Sequence, residues 1–177
     1  MRFNNFFKLV IAIVISELAG IVGSFFTISA IPNPSTSSGQ AWYSTLLKPA
    51  LNPPAWVFGP VWTTLYALMG ISLFLIWKIN PSEARVGERR RAVTLFFIQL
   101  SLNTLWSIIF FGLHGSTWLT INNLGWAFVD IVLLWLAIVW TMVIFYKISK
   151  PAAWLLVPYI LWVSFAMYLN YAIWALN

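Results

Sequence analysis

The sequence predicts an all-α integral membrane protein, a bundle of five transmembrane helices with a long first loop. Three observations lead there. Of the 177 residues, 61% are hydrophobic and 8% charged, with a mean hydropathy of +0.85. A soluble domain is roughly 45–50% apolar and about 25% charged, so these side chains cannot clothe a water-facing surface and must meet lipid. Five stretches reach the about 20 mostly apolar residues that a membrane helix needs. They are apolar on all sides, whereas a β-barrel strand would alternate every second residue. The same composition excludes a disordered chain. With no Cys and one His, His114, disulfide frameworks, iron–sulfur clusters and Cys- or His-rich metal sites are excluded, and no metal is expected.

The first span covers residues 6–30. Its length, the presence of Glu17 and the lack of a small-residue cleavage site after a short apolar region predict a retained helix rather than a signal peptide. Residues 31–40, I-P-N-P-S-T-S-S-G-Q, cannot pack and open a first loop that runs from 31 to 53. A loop this long is usually functional or mobile. The second span, 54–79, is entered through Pro53-Pro54, a stiff start for a helix. Residues 80–91 form the strongly charged segment, with Glu83, Arg85, Glu88 and Arg89–Arg91. The remaining spans are 92–112, 121–146 and 152–176; the short turns at 112–116 and 148–151 make them antiparallel neighbours.

Five spans put the termini on opposite sides. Nine of the ten Lys and Arg residues fall on the side of the N-terminus and of loops two and four, and only Lys48 on the other. Basic loops stay cytoplasmic. The N-terminus is therefore expected inside, with the first loop and the C-terminus outside. Arg89–Arg91 also suits anionic lipid or nucleic acid, but a solvated loop is the simpler account, and no nucleic-acid partner is expected.

Ionisable groups within hydrocarbon are costly and mark function by default. Glu17 lies mid-span in the first helix and Asp130 in the first half of the fourth, with no Lys or Arg at matching depth. Each carboxyl is expected to be a ligand contact or a proton site, or to tie two helices together through Trp, Tyr, Ser or Asn. In the third span Gln99, Asn103 and Ser107 are four apart and share one face. Trp106 lies beside that stripe, which either glues helices or lines a cavity. Gly20, Gly23, Ser16 and Ser24 give the first span a small-residue packing face. Of 12 Trp, Trp42, Trp56, Trp77, Trp118, Trp154 and Trp174 lie near span ends, where an interfacial belt accounts for them. Trp62, Trp106, Trp126, Trp135, Trp140 and Trp162 lie within spans and need another account. Walls rich in aromatic faces suit a flat, apolar ligand such as a porphyrin or sterol.

Trp42-Tyr43, Lys48-Pro49, Pro53-Pro54, Trp56, Phe58-Gly59, Val61-Trp62 and Tyr66 follow the pattern W-Y-x-x-L-x-K-P-x-x-x-P-P-x-x-x-F-G-x-V-W of the translocator protein family, whose bacterial members are the tryptophan-rich sensory proteins. The chain resembles that family again in Q-L-x-L-N-x-x-W-S from Gln99, in Asp130, in V-P-Y-x-L-W-x-x-F-A from Val157, and in Leu169-Asn170-Tyr171. The resemblance implies a tight five-helix bundle, often a homodimer, whose cavity opens towards the first loop as a lid. It implies binding of porphyrins and haem-type tetrapyrroles, with no cofactor required. Carried onto this chain, the ligand-binding residues would be Tyr43, Pro53, Trp62, Tyr66, Asn103, Trp106, Asp130, Trp162 and Ala166. Animal members also bind cholesterol. The Tyr-then-basic pattern of sterol-binding members is missing here, since Tyr171 is followed by no Lys or Arg. That leans the expectation towards tetrapyrroles.

Three functions compete at this level. The first is a receptor or transporter for porphyrin-type ligands. The second is light-driven breakdown of bound protoporphyrin, in which the excited ligand supplies the chemistry and the protein positions it. The third is a regulatory membrane scaffold that meets a partner through 85–91. No nucleophile–base set, phosphate loop or metal cluster is legible, so no catalytic residue is assigned.

Overall fold

The computed structural model describes residues 4–30, 42–79, 86–113 and 122–177. Arg2, 31–41, Glu83, Arg85, His114 and Trp118, and with them much of the polar first loop and the charged segment, lie outside the described residues. Among the described residues the secondary structure is helical: α1 (Asn5–Ala30), α2 (Trp42–Thr45), a 3-10 turn (Ala55–Val57), α3 (Phe58–Trp77), α4 (Val86–Ser107), α5 (Asn123–Ile148), α6 (Lys150–Trp154) and α7 (Val157–Leu176). Five stretches are long and apolar enough to cross a membrane: Asn5–Thr27, Ala55–Trp77, Val86–Gly112, Asn123–Ile148 and Lys150–Leu176. The protein is a multi-pass, all-α integral membrane protein.

The departures from the sequence reading have local causes. α4 starts at Val86, six residues before the expected 92. Hydropathy ends a span at the first charges, but Glu and Arg are good helix formers. Glu88 also sits in the first turn, where a negative charge complements the helix dipole. At its other end α4 widens into a π-helical turn, Ile108–Gly112. α5 begins behind Asn122, whose backbone is left-handed (φ 37°) and whose Oδ1 accepts from Gly125 N at 3.1 Å, capping the helix. It runs to Ile148, past the expected 146, so the fourth loop shrinks to Ser149. The expected single fifth helix, 152–176, is broken at Leu155-Leu156 into α6 and α7. Pro158 in the first turn of α7 has no N–H to return to the carbonyl of Trp154, so α-helix cannot run through.

Packing is tightest where side chains are smallest. A Cβ placed on Gly70 of α3 would lie 2.5 Å from the Ile13 Cα and 2.9 Å from the Ala12 oxygen, so α1 and α3 touch backbone to backbone there. Nearby hydroxyls bond inside the bundle: Ser16 Oγ donates to the Ala12 oxygen (3.1 Å) and Ser72 Oγ to the Ala152 oxygen (2.7 Å), the latter joining α3 to α6. Phe96 of α4 stacks on Phe145 of α5 at 6.3 Å and 12°. Val14, Leu18, Ile21, Val22 and Phe25 face outward from α1, as lipid-facing residues do.

Candidate functional site

The two ends of the bundle differ. Around Gly70 the helices close on one another. Towards the first loop, larger groups hold them apart and leave a cavity of about 270 Å³. Five segments supply its walls, all near the same end: α1 from Glu17 to Thr27, Tyr43 of α2, α3 from Phe58 to Tyr66, α4 and its π-turn from Trp106 to Phe111, and α7 from Trp162 to Ile173. Exposed Ile21, Gly59 and Thr63 form a rim between α1 and α3, so the cavity opens sideways there.

The walls are chiefly aromatic. Trp62 stacks on Tyr66 (5.6 Å, 29°), and Trp106 on Phe110 (5.1 Å, 29°). Phe110 meets Phe111 edge-on at 4.7 Å, and Trp162 meets Phe58 edge-on at 6.0 Å. Tyr43 closes the loop end against Phe111 at 5.7 Å. A flat ligand would find ring faces on three sides.

Hydrogen bonds fix these rings from behind. The Tyr66 hydroxyl donates to Asn103 Oδ1, and Asn103 Nδ2 donates to the Tyr159 oxygen at 3.1 Å. Trp106 Nε1 donates to Asn170 Oδ1 (2.9 Å), whose Nδ2 donates to the Leu124 oxygen (2.9 Å). The Tyr43 hydroxyl donates to Asn52 Oδ1 at 3.0 Å, and Asn52 Nδ2 to the Pro53 oxygen at 3.2 Å. Lys48 Nζ lies 4.7 Å from the Tyr43 ring centroid, placing a cation at the loop end. Burial pushes the Tyr43 phenol above its ordinary value of 10.0, and its bond to Asn52 offsets part of the rise.

The structure brings together six of the nine residues singled out from the sequence: Tyr43, Trp62, Tyr66, Trp106, Trp162 and Ala166 line the cavity. Three stand elsewhere. Asn103 is buried one layer behind the wall, where it orients Tyr66 and Tyr159. Pro53 reaches the cavity only through Asn52 and Tyr43. Asp130 is 5% exposed and does not line the cavity, and among the described residues its Oδ2 has no hydrogen-bond partner. The third-span stripe divides accordingly: Gln99 and Asn103 are buried, and only Ser107 reaches the cavity.

Of the other wall residues, only Glu17 carried a possible ligand role from the sequence. Glu17, Gly20, Ser24 and Thr27 recur every three or four residues and give α1 one cavity-facing stripe. Of the expected packing face, Gly20 lies against the Tyr66 ring and Gly23 against Ser107, so the same small residues pack and line. Glu17 makes no hydrogen bond among the described residues, so a helix tie does not account for it. Phe110 and Phe111 read from sequence only as part of an apolar span. The intra-span tryptophans separate by direction: Trp62, Trp106 and Trp162 line the cavity, Trp126 and Trp140 are exposed, and Trp135 donates to Ser164 Oγ at 2.9 Å.

The comparisons with known proteins agree with this architecture. Residues 12–175 match the TspO/MBR family. The tryptophan-rich protein TspO of Chlorobaculum tepidum is 47% identical over 162 residues, covering 89% of this chain and 88% of its own. The protein of that name from Archaeoglobus fulgidus is 42% identical over 98% of this chain and 99% of its own. The translocator protein of Homo sapiens is 42% identical over 78% of this chain and 76% of its own. With the match running through all five spans and every wall of the cavity, the chain belongs to the TspO/MBR family.

Proposed function

We propose that this protein is a membrane receptor or transporter that binds a porphyrin-type tetrapyrrole in the aromatic cavity, with the first-loop segment as its cover. One observation carries the reading: Trp62, Tyr66, Trp106, Phe110 and Trp162 present ring faces and edges to a single cavity whose side is open between α1 and α3. Stacking on such faces suits a planar apolar ring. The volume of about 270 Å³ lies at the lower edge of ligand-sized clefts, and the open side lets a large ring extend past the wall. Lys48, beside Tyr43, is the cation placed to meet an anionic edge of the ligand. The names of the relatives speak of translocation, and a side entrance from the bilayer suits a ligand that travels through lipid. The Lys and Arg asymmetry further supports an N-terminus in the cytoplasm and the cavity at the opposite end.

Titration of the purified protein in nanodiscs with protoporphyrin, read by tryptophan fluorescence, tests this. Saturable quenching is expected, weakened in Trp62→Ala and Trp106→Ala. Quenching that never saturates, or that both variants leave unchanged, would overturn the assignment.

A further inference from the structure

A second hollow, of about 640 Å³, lies at the far end of the bundle from the aromatic cavity. It is lined by Lys8 and Ile11 of α1, Trp77 at the end of α3, and Val86, Arg89, Arg90, Val93 and Thr94 of α4. We propose that this groove binds an anionic phospholipid, with the headgroup phosphate on Lys8, Arg89 and Arg90 and an acyl chain along Ile11 and Val93.

The arrangement is that of a site and not only of a charged loop. Val86, Arg89, Arg90 and Val93 are spaced three, one and three apart, so they form one stripe of α4 in which cations are bracketed by apolar groups. Arg90 and Arg91 are both exposed, yet only Arg90 lines the groove. An orientation signal alone would not distinguish these arginines, because topology responds to the number of basic residues and not to the direction they face. Arg89 Nη1 donates to the Ile79 oxygen at 3.3 Å, which holds that guanidinium beside the end of α3. Among the described residues no acid lines the groove, and Lys8, Arg89 and Arg90 have no carboxylate partner. The groove also lies near the first turns of both α1 and α4, whose dipoles add positive potential.

The apolar half decides between a lipid and a soluble phosphate. Ile11, Trp77, Val86 and Val93 would give a small hydrated anion nothing to bury. About one turn further along, α1 and α4 carry exposed Val14, Phe97 and Ile98, as lipid-facing surfaces do. Polar at the end of the spans and greasy towards their middle, the groove matches an amphiphile that shares the membrane. Basic hollows between membrane helices are known to take anionic headgroups.

The test compares thermal unfolding and native mass spectra of the full chain with added phosphatidylglycerol, phosphatidylcholine or inorganic phosphate. Phosphatidylglycerol is expected to raise the unfolding temperature and to remain bound as a discrete adduct, while the other two do neither. A cation set on the headgroup contributes about fivefold to binding of an anionic lipid, so Arg89→Gln and Arg90→Gln should each weaken the adduct by about that factor. Adding Lys8→Gln to both should lower affinity roughly a hundredfold. Arg91→Gln removes the same charge one residue away and should leave binding unchanged. Arg89→Lys with Arg90→Lys should retain most of it. Equal losses in Arg91→Gln and Arg90→Gln would reduce the groove to general surface charge and overturn the proposal. So would stabilisation by inorganic phosphate alone, or an equal response to phosphatidylcholine.

Discussion

Gly70→Ala offers a direct test of how the bundle holds the cavity open at one end. The added Cβ would sit 2.5 Å from the Ile13 Cα, 2.9 Å from the Ile13 nitrogen and 2.9 Å from the Ala12 oxygen. Carbon atoms pack comfortably at about 3.5–4.0 Å. All three neighbours are backbone, which no rotamer change can move, so α1 and α3 must part by about 1 Å. Overpacking of this kind costs about 1–3 kcal/mol. Alanine in place of a mid-helix glycine returns about 1 kcal/mol of helix propensity. The net expectation is a loss of up to about 2 kcal/mol, which for a chain of this size lowers the unfolding temperature by up to about 8 °C. Gly59→Ala is the matched control, since a Cβ there meets nothing within 4 Å and stability should hold or rise slightly. Because α1 and α3 also form the side opening, parting them at Gly70 should widen the rim and weaken protoporphyrin binding. Thermal unfolding followed by tryptophan fluorescence in nanodiscs reads the first effect, and quenching titration the second. If Gly70→Ala unfolded as Gly59→Ala does and bound as the wild type does, the backbone-to-backbone approach would not be the feature that sets the cavity.

Three further outcomes are expected. Asn103→Leu strands the Tyr66 and Tyr159 hydroxyls inside the bundle, at about 1–3 kcal/mol for each unsatisfied group, and frees the Tyr66 ring; thermal unfolding should show the loss, and adding Tyr66→Phe and Tyr159→Phe should recover part of it. Asn177 donates through Nδ2 to the Leu47 oxygen and accepts from the Leu47 nitrogen, both at 3.0 Å, so Asn177→Ala should cost about 1–3 kcal/mol of docking of the first-loop segment and speed protoporphyrin exchange in stopped-flow fluorescence, with little change in unfolding temperature. Tyr43 favours its neutral form in the folded protein, so its docking is at full strength below pH 10.0 and fades as the pH rises through its elevated value; the phenolate absorbance difference between the wild type and Tyr43→Phe should appear above the ordinary tyrosine range, and a titration at or below 10.0 would contradict its burial.

Much of the molecule was legible from the chain because a bilayer imposes one strong rule. A backbone crossing hydrocarbon must satisfy its own polar groups, so length and apolarity suffice to place helices. Five spans and the family likeness follow from that rule and from the Trp42–Tyr66 pattern. The same rule misplaces helix ends, because hydropathy sees lipid and not helix propensity. That is why α4 extends through Glu88–Arg91, and why a Pro158 in the middle of an apolar run was not read as a break.

Direction is what spacing along one helix could not supply. Residue type and place within a span do not separate Trp62, Trp106 and Trp162, which line the cavity, from Trp126 and Trp140, which are exposed; only the family pattern singled out the first three. An apolar helix in a membrane lacks the polar outer face that betrays orientation in water, so its inward side emerges only when neighbours pack against it. Asn103 follows the same logic: its residue type marked it for the site, but the approach of Tyr66 and Tyr159 drew it one layer back. Tertiary structure alone likewise paired Asn177 with Leu47, residues 130 positions apart, and set Lys8 beside the one face of α4 that carries Arg89 and Arg90. Composition and length therefore determined that the chain crosses the membrane and how often. Helix-against-helix packing decided which residues a ligand would meet, because in lipid the hydrophobic effect drives helices into the bilayer but does not choose the faces they turn to one another.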